Sequence, residues 1–203
     1  DKKKEIIIRS IQVIKMRLLS QTIKSSMAIA ARLSARNRIT LNNRMGVIRH
    51  VHIEKRLSDL GIELPPLGTP KGSYALTSRQ GNLLYLAGHL PMPTDGKLMV
   101  GKVGDTISPE DAAIAAKWCA LNIISTLKAE LGDLDNVVKI HKLVGFVNCV
   151  DGFDAQPKVI NGASDTMFEI FGDAGRHARS AVGTNALPLN VPVEIEAIVE
   201  FKG

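Results

Sequence analysis

The sequence predicts an α+β domain whose helices cover one face of a β-sheet. Two helix patterns stand between groups of strand patterns, and the last strand pattern alternates between apolar and polar residues, with Ile198 as the exception. In chain order the predicted elements are a short helix at 54–60, strands at 73–78 and 83–88, a short strand after residues 94–96, a helix at 108–131, a strand at 137–148, a helix at 156–171, and strands at 177–183 and 191–201.

The first elements are marked by their turn residues. Gly61 ends the short helix, and a proline-rich loop follows as far as Pro70. The segment 80–82, Gln-Gly-Asn, joins two apolar runs and is typical of a β-hairpin. The segment 94–96, Thr-Asp-Gly, predicts a second turn, leading into a short strand.

The two long helices have clear signals. Ser108 is a helix N-cap residue, Pro109 suits the first helical position, Asp111 follows three residues after the cap, and Gly132 predicts the end. In the second helix, apolar residues about one helical turn apart predict the inner face. These residues are Val159, Ile160, Ala163, Met167 and Phe171.

The C-terminal stretch VPVEIEAIVEF has the two-residue period of a half-buried strand. Its apolar members are Val193, Ile195, Ala197, Val199 and Phe201. Glu194 and Glu196 fall on the opposite face, away from the packed side. Two neighbouring carboxyl groups on an exposed sheet face are candidates for chemistry or for an interface.

Charge is distributed unevenly along the 203 residues, whose formal net charge is +6. Residues 1–50 contain 12 of the 26 Lys and Arg but only 2 of the 20 Asp and Glu. The remaining residues are therefore mildly acidic, which argues against a nucleic-acid-binding face on the domain itself because phosphate binding needs clustered positive charge.

The N-terminal segment from Ile6 to Ile53 contains no Asp or Glu and is rich in Arg, Ser and Ala. Such a basic, amphipathic segment is typical of a mitochondrial transit peptide; the alternative is a basic tail that binds RNA or an acidic partner. We therefore divide the chain into a basic extension, 1–50, and a folded domain, 51–203. The expected location is the mitochondrial matrix, with the cytoplasm as the alternative.

Cys119 and Cys149 are the only cysteines, and their 30-residue separation matches neither a CxxC motif nor a metal-ligand spacing. We expect two buried free thiols in a reducing compartment, and no metal site. The apolar run Ile6–Ile8 near the N-terminus ends at Arg9, so no membrane span is predicted.

Arg179 stands in a strand pattern among apolar neighbours, where a guanidinium needs an anion opposite it. If this strand pairs with the last strand through the Leu187–Pro188 connection, Glu194 or Glu196 can face Arg179. Two interpretations remain open: a structural Arg–Glu pair, or an Arg that binds a substrate carboxylate while the Glu handles a proton or water.

Several stretches carry a resemblance to a known family: GNLLYLAGHLP, LGDLDNVVKIHKLVGFVN, QPKVINGASDTMFEIFGDAGRHARSAVG and GRHARSAVGTNALPLNVPVEIEAIVE. They resemble the Rid (YjgF) family of imine deaminases, in its subgroup with a longer N-terminal region, over roughly residues 54–203. The resemblance implies a chorismate-mutase-like fold with a mixed sheet and two helices packed on one face. It also implies a homotrimer with pockets between subunits.

The resemblance further implies hydrolysis of reactive 2-imino acids to 2-keto acids and ammonia without a cofactor, which protects pyridoxal-phosphate enzymes. Arg179 would bind the substrate carboxylate, and Glu194 would orient the attacking water. The backbone of Gly88 would contact the substrate, and Tyr74 would close the pocket.

Three pocket positions depart from the family pattern. Ala87 replaces a Ser, His89 replaces a Gln, and Ala181 replaces a Cys. A hydroxyl and a thiol are lost, which predicts either an altered substrate preference or lost turnover. His89 is open to a role in the pocket, whereas His177, at the entry of a strand, is expected to be structural.

Three functions from different classes remain at this point. The first is the imine deaminase. The second is RNA binding or cleavage, which the acidic domain argues against but the basic extension permits. The third is a non-catalytic, carboxylate-binding trimer within a larger mitochondrial assembly.

Overall fold

The computed structural model describes residues 52–70 and 72–203. The predicted transit peptide, 1–50, lies outside these residues. The helices are α1 (Ile53–Asp59), α2 (Pro109–Leu131) and α3 (Gln156–Phe171). The strands are β1 (Thr77–Gln80), β2 (Leu83–His89), β3 (Val137–Asn148), β4 (Ala178–Thr184) and β5 (Val193–Phe201). Single 3₁₀ turns occupy Leu134–Asn136, Gly172–Gly175 and Pro188–Asn190.

The five strands form one mixed sheet in the order β1-β2-β5-β3-β4. β3 and β4 are parallel because α3 carries the chain between them, and the other neighbouring pairs are antiparallel. The predicted α+β class and mixed sheet are confirmed, with a third helix, α1, that the sequence pattern also indicated.

The core lies between the helices and one sheet face. Val193, Ile195 and Val199 of β5 are fully buried, together with the inner faces of α2 and α3. Cys119 and Cys149 are buried free thiols, as expected. Within residues 52–70 and 72–203, no helix has both the length and the apolar character needed to span a bilayer.

The helix ends agree with the sequence signals. The Ser108 Oγ accepts a hydrogen bond from the Asp111 amide at 3.0 Å and donates one to the Asp111 carboxylate at 2.6 Å. Gly132 ends α2 with a φ of 73°, in the left-handed region that favours glycine. These local contacts make the bounds of α2 predictable from the sequence.

Three sequence predictions about strands were wrong in detail. β1 begins at Thr77 rather than at residue 73. The segment between the 94–96 turn and α2 contains no strand, and Val103 makes only isolated bridges with Ile107 and Cys149. The pairing of β4 with β5 was also wrong, because β3 lies between them and bonds to both.

The sheet face away from the helices is only partly polar. Tyr85 and Val182 on this face are 43% and 45% exposed. Ile198 and Val144 lie between them and line a shallow cavity of about 390 Å³ with Glu196 and Lys142. We call this surface the open face.

Candidate functional site

Glu194 has an unusual environment for a carboxyl group. It lies on β5 between the buried residues Val193 and Ile195, and it is itself half-buried. It makes no hydrogen bond or ion pair with any residue in the described part of the chain. Withdrawal from water raises the pKa of Glu194, and the nearby negative charge of Glu196 raises it further. An unpartnered, half-buried carboxyl group is a mark of a functional site rather than of a structural pair.

Gly88 makes room for this carboxyl group. A Cβ built on Gly88 would overlap the Glu194 carboxylate. The pairing of β2 with β5 is irregular at this point, with a register shift between Leu86 and His89. A bulge of this kind re-aims the side chains around it. The structure therefore places Gly88 and Glu194 together, as the sequence predicted.

His89 is 6% exposed, and its ring is bonded at both nitrogens. The Nδ1 atom lies 2.7 Å from the Ala87 carbonyl, which can only accept, so Nδ1 carries the proton. Nε2 then accepts a hydrogen bond from the Thr126 hydroxyl at 2.8 Å. Burial lowers the pKa of His89, which favours this neutral form. His89 thus fixes the bulge next to Gly88.

A cavity of about 440 Å³ opens beside Glu194. Its lining consists of Gly68, Thr69, Tyr74, Leu76, Gly88, His89, Leu90, Met92, Asn122, Thr126, Pro188, Leu189 and Glu194. Four residues predicted for the site therefore meet here: Tyr74, Gly88, His89 and Glu194. We call this space the Glu194 cavity. Among the described residues of its lining, Glu194 is the only charged one, apart from His89 when protonated.

Arg179 lies elsewhere in the same protomer. It pairs with Leu143 of β3, which is fully buried under the helices, whereas Glu194 pairs with Phe146. Because side chains alternate along a strand, Arg179 and Glu194 lie on opposite faces of the sheet and on strands separated by β3. One protomer therefore does not bring the two together.

The groups opposite Arg179 are neutral acceptors on α3. Its guanidinium donates to the Ser164 hydroxyl and to the Pro157 carbonyl, each at 3.0 Å. The described residues provide no carboxylate within ion-pair distance, so the structural Arg–Glu pair is not formed within the protomer. Two of the five guanidinium N–H groups are used here, which leaves donors for a carboxylate.

His177 supports Arg179 through the same hydroxyl group. Nδ1 of His177 donates to the Gly175 carbonyl at 2.6 Å, and Nε2 accepts from Ser164 at 3.1 Å. Burial lowers the pKa of His177, and the positive charges of Arg179 and Lys139 lower it further. The expected structural role of His177 thus extends to orienting the Arg179 side chain.

The two alanines that depart from the family pattern do not line the Glu194 cavity. Ala87 lines the shallow cavity on the open face. Ala181 is partly buried on β4 and packs against the core. Within one protomer, replacing the family's Ser by Ala87 changes the open face, and replacing the family's Cys by Ala181 changes the edge of the core. Neither replacement alters the lining of the Glu194 cavity.

A separate carboxylate cluster joins α1 to the start of β3. It consists of Glu54, Asp133 and Asp135. Asp135 accepts from the Ile53 amide at 2.8 Å, and Glu54 accepts from Lys128 and from the Leu134 amide. These contacts stabilise the loop and the α1 N-terminus, and we assign the cluster no catalytic role.

The sequence patterns did not lead us to expect Asn122 and Thr126 at the site. They lie one turn apart on α2, inside an otherwise apolar buried stretch. Asn122 donates its amide protons to the carbonyls of Met92 and Trp118, at 2.7 and 2.8 Å. A pair of polar residues spaced i, i+4 on a buried helix face was the signal that could have indicated them.

A family model described as "YjgF/chorismate_mutase-like, putative endoribonuclease" matches residues 54–200. The chain is 40% identical over 158 residues to Protein TCP17 of Trypanosoma cruzi, covering 77% of this chain and 99% of the relative. It is 29% identical over 139 residues to a 2-iminobutanoate/2-iminopropanoate deaminase of Dermatophagoides farinae, covering 68% of this chain and 93% of the relative.

A solved structure has the same fold. Protein Atu1372 from Agrobacterium tumefaciens, of unknown function, is 44% identical with a TM-score of 0.68. The match covers 75% of this chain and 96% of that one. The family model, which matches residues 54–200, therefore covers the part of the chain that contains the Glu194 cavity.

Proposed function

The chain belongs to the YjgF/chorismate mutase-like family, and from that premise we propose that it hydrolyses 2-imino acids to 2-keto acids and ammonia in the Glu194 cavity. The observation that carries the proposal is the unpartnered Glu194 carboxyl group beside Gly88. The deaminase named among the relatives supports it.

The reaction moves both protons of one water molecule to the imine nitrogen. The Glu194 carboxylate accepts the first proton as the water oxygen attacks the imine carbon and the C=N π electrons move to nitrogen, which then takes that proton from Glu194. Glu194 accepts the second proton from the new hydroxyl group and passes it to the nitrogen, so that the C–N bond breaks, ammonia leaves and the C=O bond forms. A raised pKa suits Glu194 for both directions of proton transfer near neutral pH. The reaction balances without a redox step, so we propose no cofactor.

The substrate carboxylate requires a cation, and the described residues that line the Glu194 cavity of one protomer provide none. Arg179 retains free N–H donors on an edge strand of the sheet. We therefore propose that Arg179 of a second copy completes the site, in a homotrimer with pockets between subunits. Apolar residues on the open face, such as Tyr85 and Val182, support burial between copies.

The test generates 2-iminobutanoate with a threonine dehydratase and follows the release of 2-oxobutanoate. Wild type should accelerate release over the spontaneous rate, and Arg179→Ala and Glu194→Gln should lose that acceleration. Arg176→Ala is the matched control, because Arg176 is exposed and bonds to Asp173 instead.

No acceleration by wild-type protein would contradict the deaminase proposal and leave a carboxylate-binding or scaffolding protein. Retained acceleration in Arg179→Ala would contradict only the role of Arg179. We also propose the mitochondrial matrix as the location, on the basis of the acid-free segment 6–53. Sequencing the N-terminus of the mature protein tests this, because an intact segment would contradict it.

A further inference from the structure

We propose that the Glu194 cavity selects 2-imino acids with long apolar side chains, and that Leu189 is a specificity-determining residue. This inference rests on the proposed function, since it names the substrate class of the same site. It is carried by the size of the cavity, the chemistry of its walls and the strained turn that holds Leu189.

The cavity is larger than the smallest imino acids require. Its volume is about 440 Å³. At roughly 30 Å³ for each small group, as in liquid water, this space holds about 15 non-hydrogen atoms, about twice the number in 2-iminobutanoate. A substrate of that size would leave half of the cavity to water, whereas a longer side chain would displace it.

The walls beyond Glu194 are apolar. Leu76 lies on one side, Leu90 and Met92 follow β2, and Pro188 and Leu189 come from the connection between β4 and β5. An apolar substrate side chain that enters this region is removed from water, which stabilises the complex in proportion to the buried area. A charged side chain would find no charge of opposite sign among the described residues of this region.

Two polar residues of the far wall use their donor groups within the protein. Thr126 donates its hydroxyl proton to His89, and Asn122 donates to the carbonyls of Met92 and Trp118. The Asn122 contacts also tie the segment carrying Met92 to α2. The shape of the apolar region is therefore fixed by hydrogen bonds made before any ligand binds.

Leu189 is held at the cavity by an unfavourable backbone conformation. Leu189 and Asn190 have φ values of 56° and 55°, in the left-handed region that leucine rarely adopts. Such conformations persist only where the surroundings hold them, and they often occur at functional sites. Two contacts hold this turn: Asn148 Nδ2 to Asn190 Oδ1 at 3.1 Å, and the Gly101 amide to the Asn190 carbonyl at 2.8 Å.

The strained turn has a specific consequence for Leu189. Its side chain is 52% exposed yet lines the cavity, so it covers little of the hydrophobic core. Core packing thus does not account for a leucine at a position where Gly or Asn would be less strained. Contact with an apolar ligand accounts for it.

The experiment compares two imines on the full chain. An L-amino-acid oxidase with catalase generates 2-iminobutanoate and the imine of leucine, and the release of each keto acid is followed. Wild type should show a higher kcat/KM for the leucine imine. Leu189→Asn suits the left-handed backbone and should lower that preference about tenfold.

The matched control is Leu67→Asn. Leu67 is also 52% exposed in a loop, but it is not part of the cavity lining. This variant should keep the wild-type preference. Equal loss of preference in both variants would overturn the role of Leu189.

Binding of the keto-acid products separates specificity from catalysis. By calorimetry, 4-methyl-2-oxopentanoate should bind wild type more tightly than 2-oxobutanoate, and Leu189→Asn should remove most of the difference. Acceleration of both imines without a preference would overturn this inference while the proposed function stands. If no imine is accelerated, the proposed function fails, and equal binding of the two keto acids would overturn the inference as well.

Discussion

Gly88 and Glu194 lie so close together that a Cβ on Gly88 would overlap the Glu194 carboxylate. The contact joins neighbouring strands, β2 and β5, at the register shift in their pairing. Nothing in the backbone conformation of Gly88 demands glycine, since its φ is not in the left-handed region. A glycine stands at position 88 because the Glu194 side chain occupies the space that a Cβ would take.

Gly88→Ala should therefore displace Glu194 and lower kcat/KM for 2-iminobutanoate by at least about tenfold. Gly68→Ala is the matched control, because Gly68 lines the same cavity but has open space around its missing Cβ. Steady-state kinetics on both variants checks the prediction. An active Gly88→Ala variant would show that Glu194 need not occupy this position.

Glu194→Gln should raise the melting temperature near neutral pH while it removes activity. Burial raises the pKa of Glu194, so its charged form destabilises the folded state above that pKa. This destabilisation decreases as the pH falls through the raised pKa of Glu194, and it vanishes below the ordinary glutamate pKa of 4.5. The gain in melting temperature should shrink accordingly between neutral pH and about pH 4.

Thermal unfolding at several pH values measures this difference. Glu169→Gln is the control, because Glu169 is an exposed carboxylate on α3. A gain in melting temperature that is the same at neutral and acidic pH would show that the ionised carboxylate is not its cause.

Thr126→Val should destabilise the protein by about 1–3 kcal/mol, because it leaves the buried Nε2 atom of His89 without a donor. Thr166→Val is the matched control: Thr166 is equally buried, but its hydroxyl bonds only to the Gly162 carbonyl one helical turn earlier. Denaturant unfolding should show the smaller loss in the control. Equal losses would mean that the Thr126–His89 bond adds nothing specific.

Arg179→Ala chains and Glu194→Gln chains should restore activity when they are produced together. The two residues lie on opposite faces of one protomer, so a site that contains both must take them from different copies. In the proposed cyclic trimer, random assembly of equal amounts of the two chains leaves both residues intact in about one site in four. Kinetics on the co-produced protein, with mass spectrometry to show mixed oligomers, makes the measurement.

The control for this experiment replaces the Glu194→Gln chain by one that carries both substitutions. No intact site can form in that mixture, so activity should stay absent. Mixed oligomers that remain inactive in the main experiment would contradict a site shared between copies.

The sequence was sufficient to predict the elements whose signals are local. Ser108, Pro109 and Gly132 delimit α2 because caps act over one helical turn. The alternation along β5 placed Glu194 opposite the core, because the pleat of a strand has a fixed two-residue period. The family resemblance carried by several stretches then predicted the fold and three of the residues that meet around Glu194.

Tertiary structure alone decided which strands are neighbours and where the charged groups point. β3 separates β4 from β5, so Arg179 meets neutral acceptors on α3 and stays apart from Glu194. Asn122, Thr126 and Leu189 reach the cavity only because α2 and the 188–190 turn pack beside β2. Strand order and packing depend on the whole core, whose contacts join residues far apart in the chain. A local pattern of a few residues therefore does not predict them.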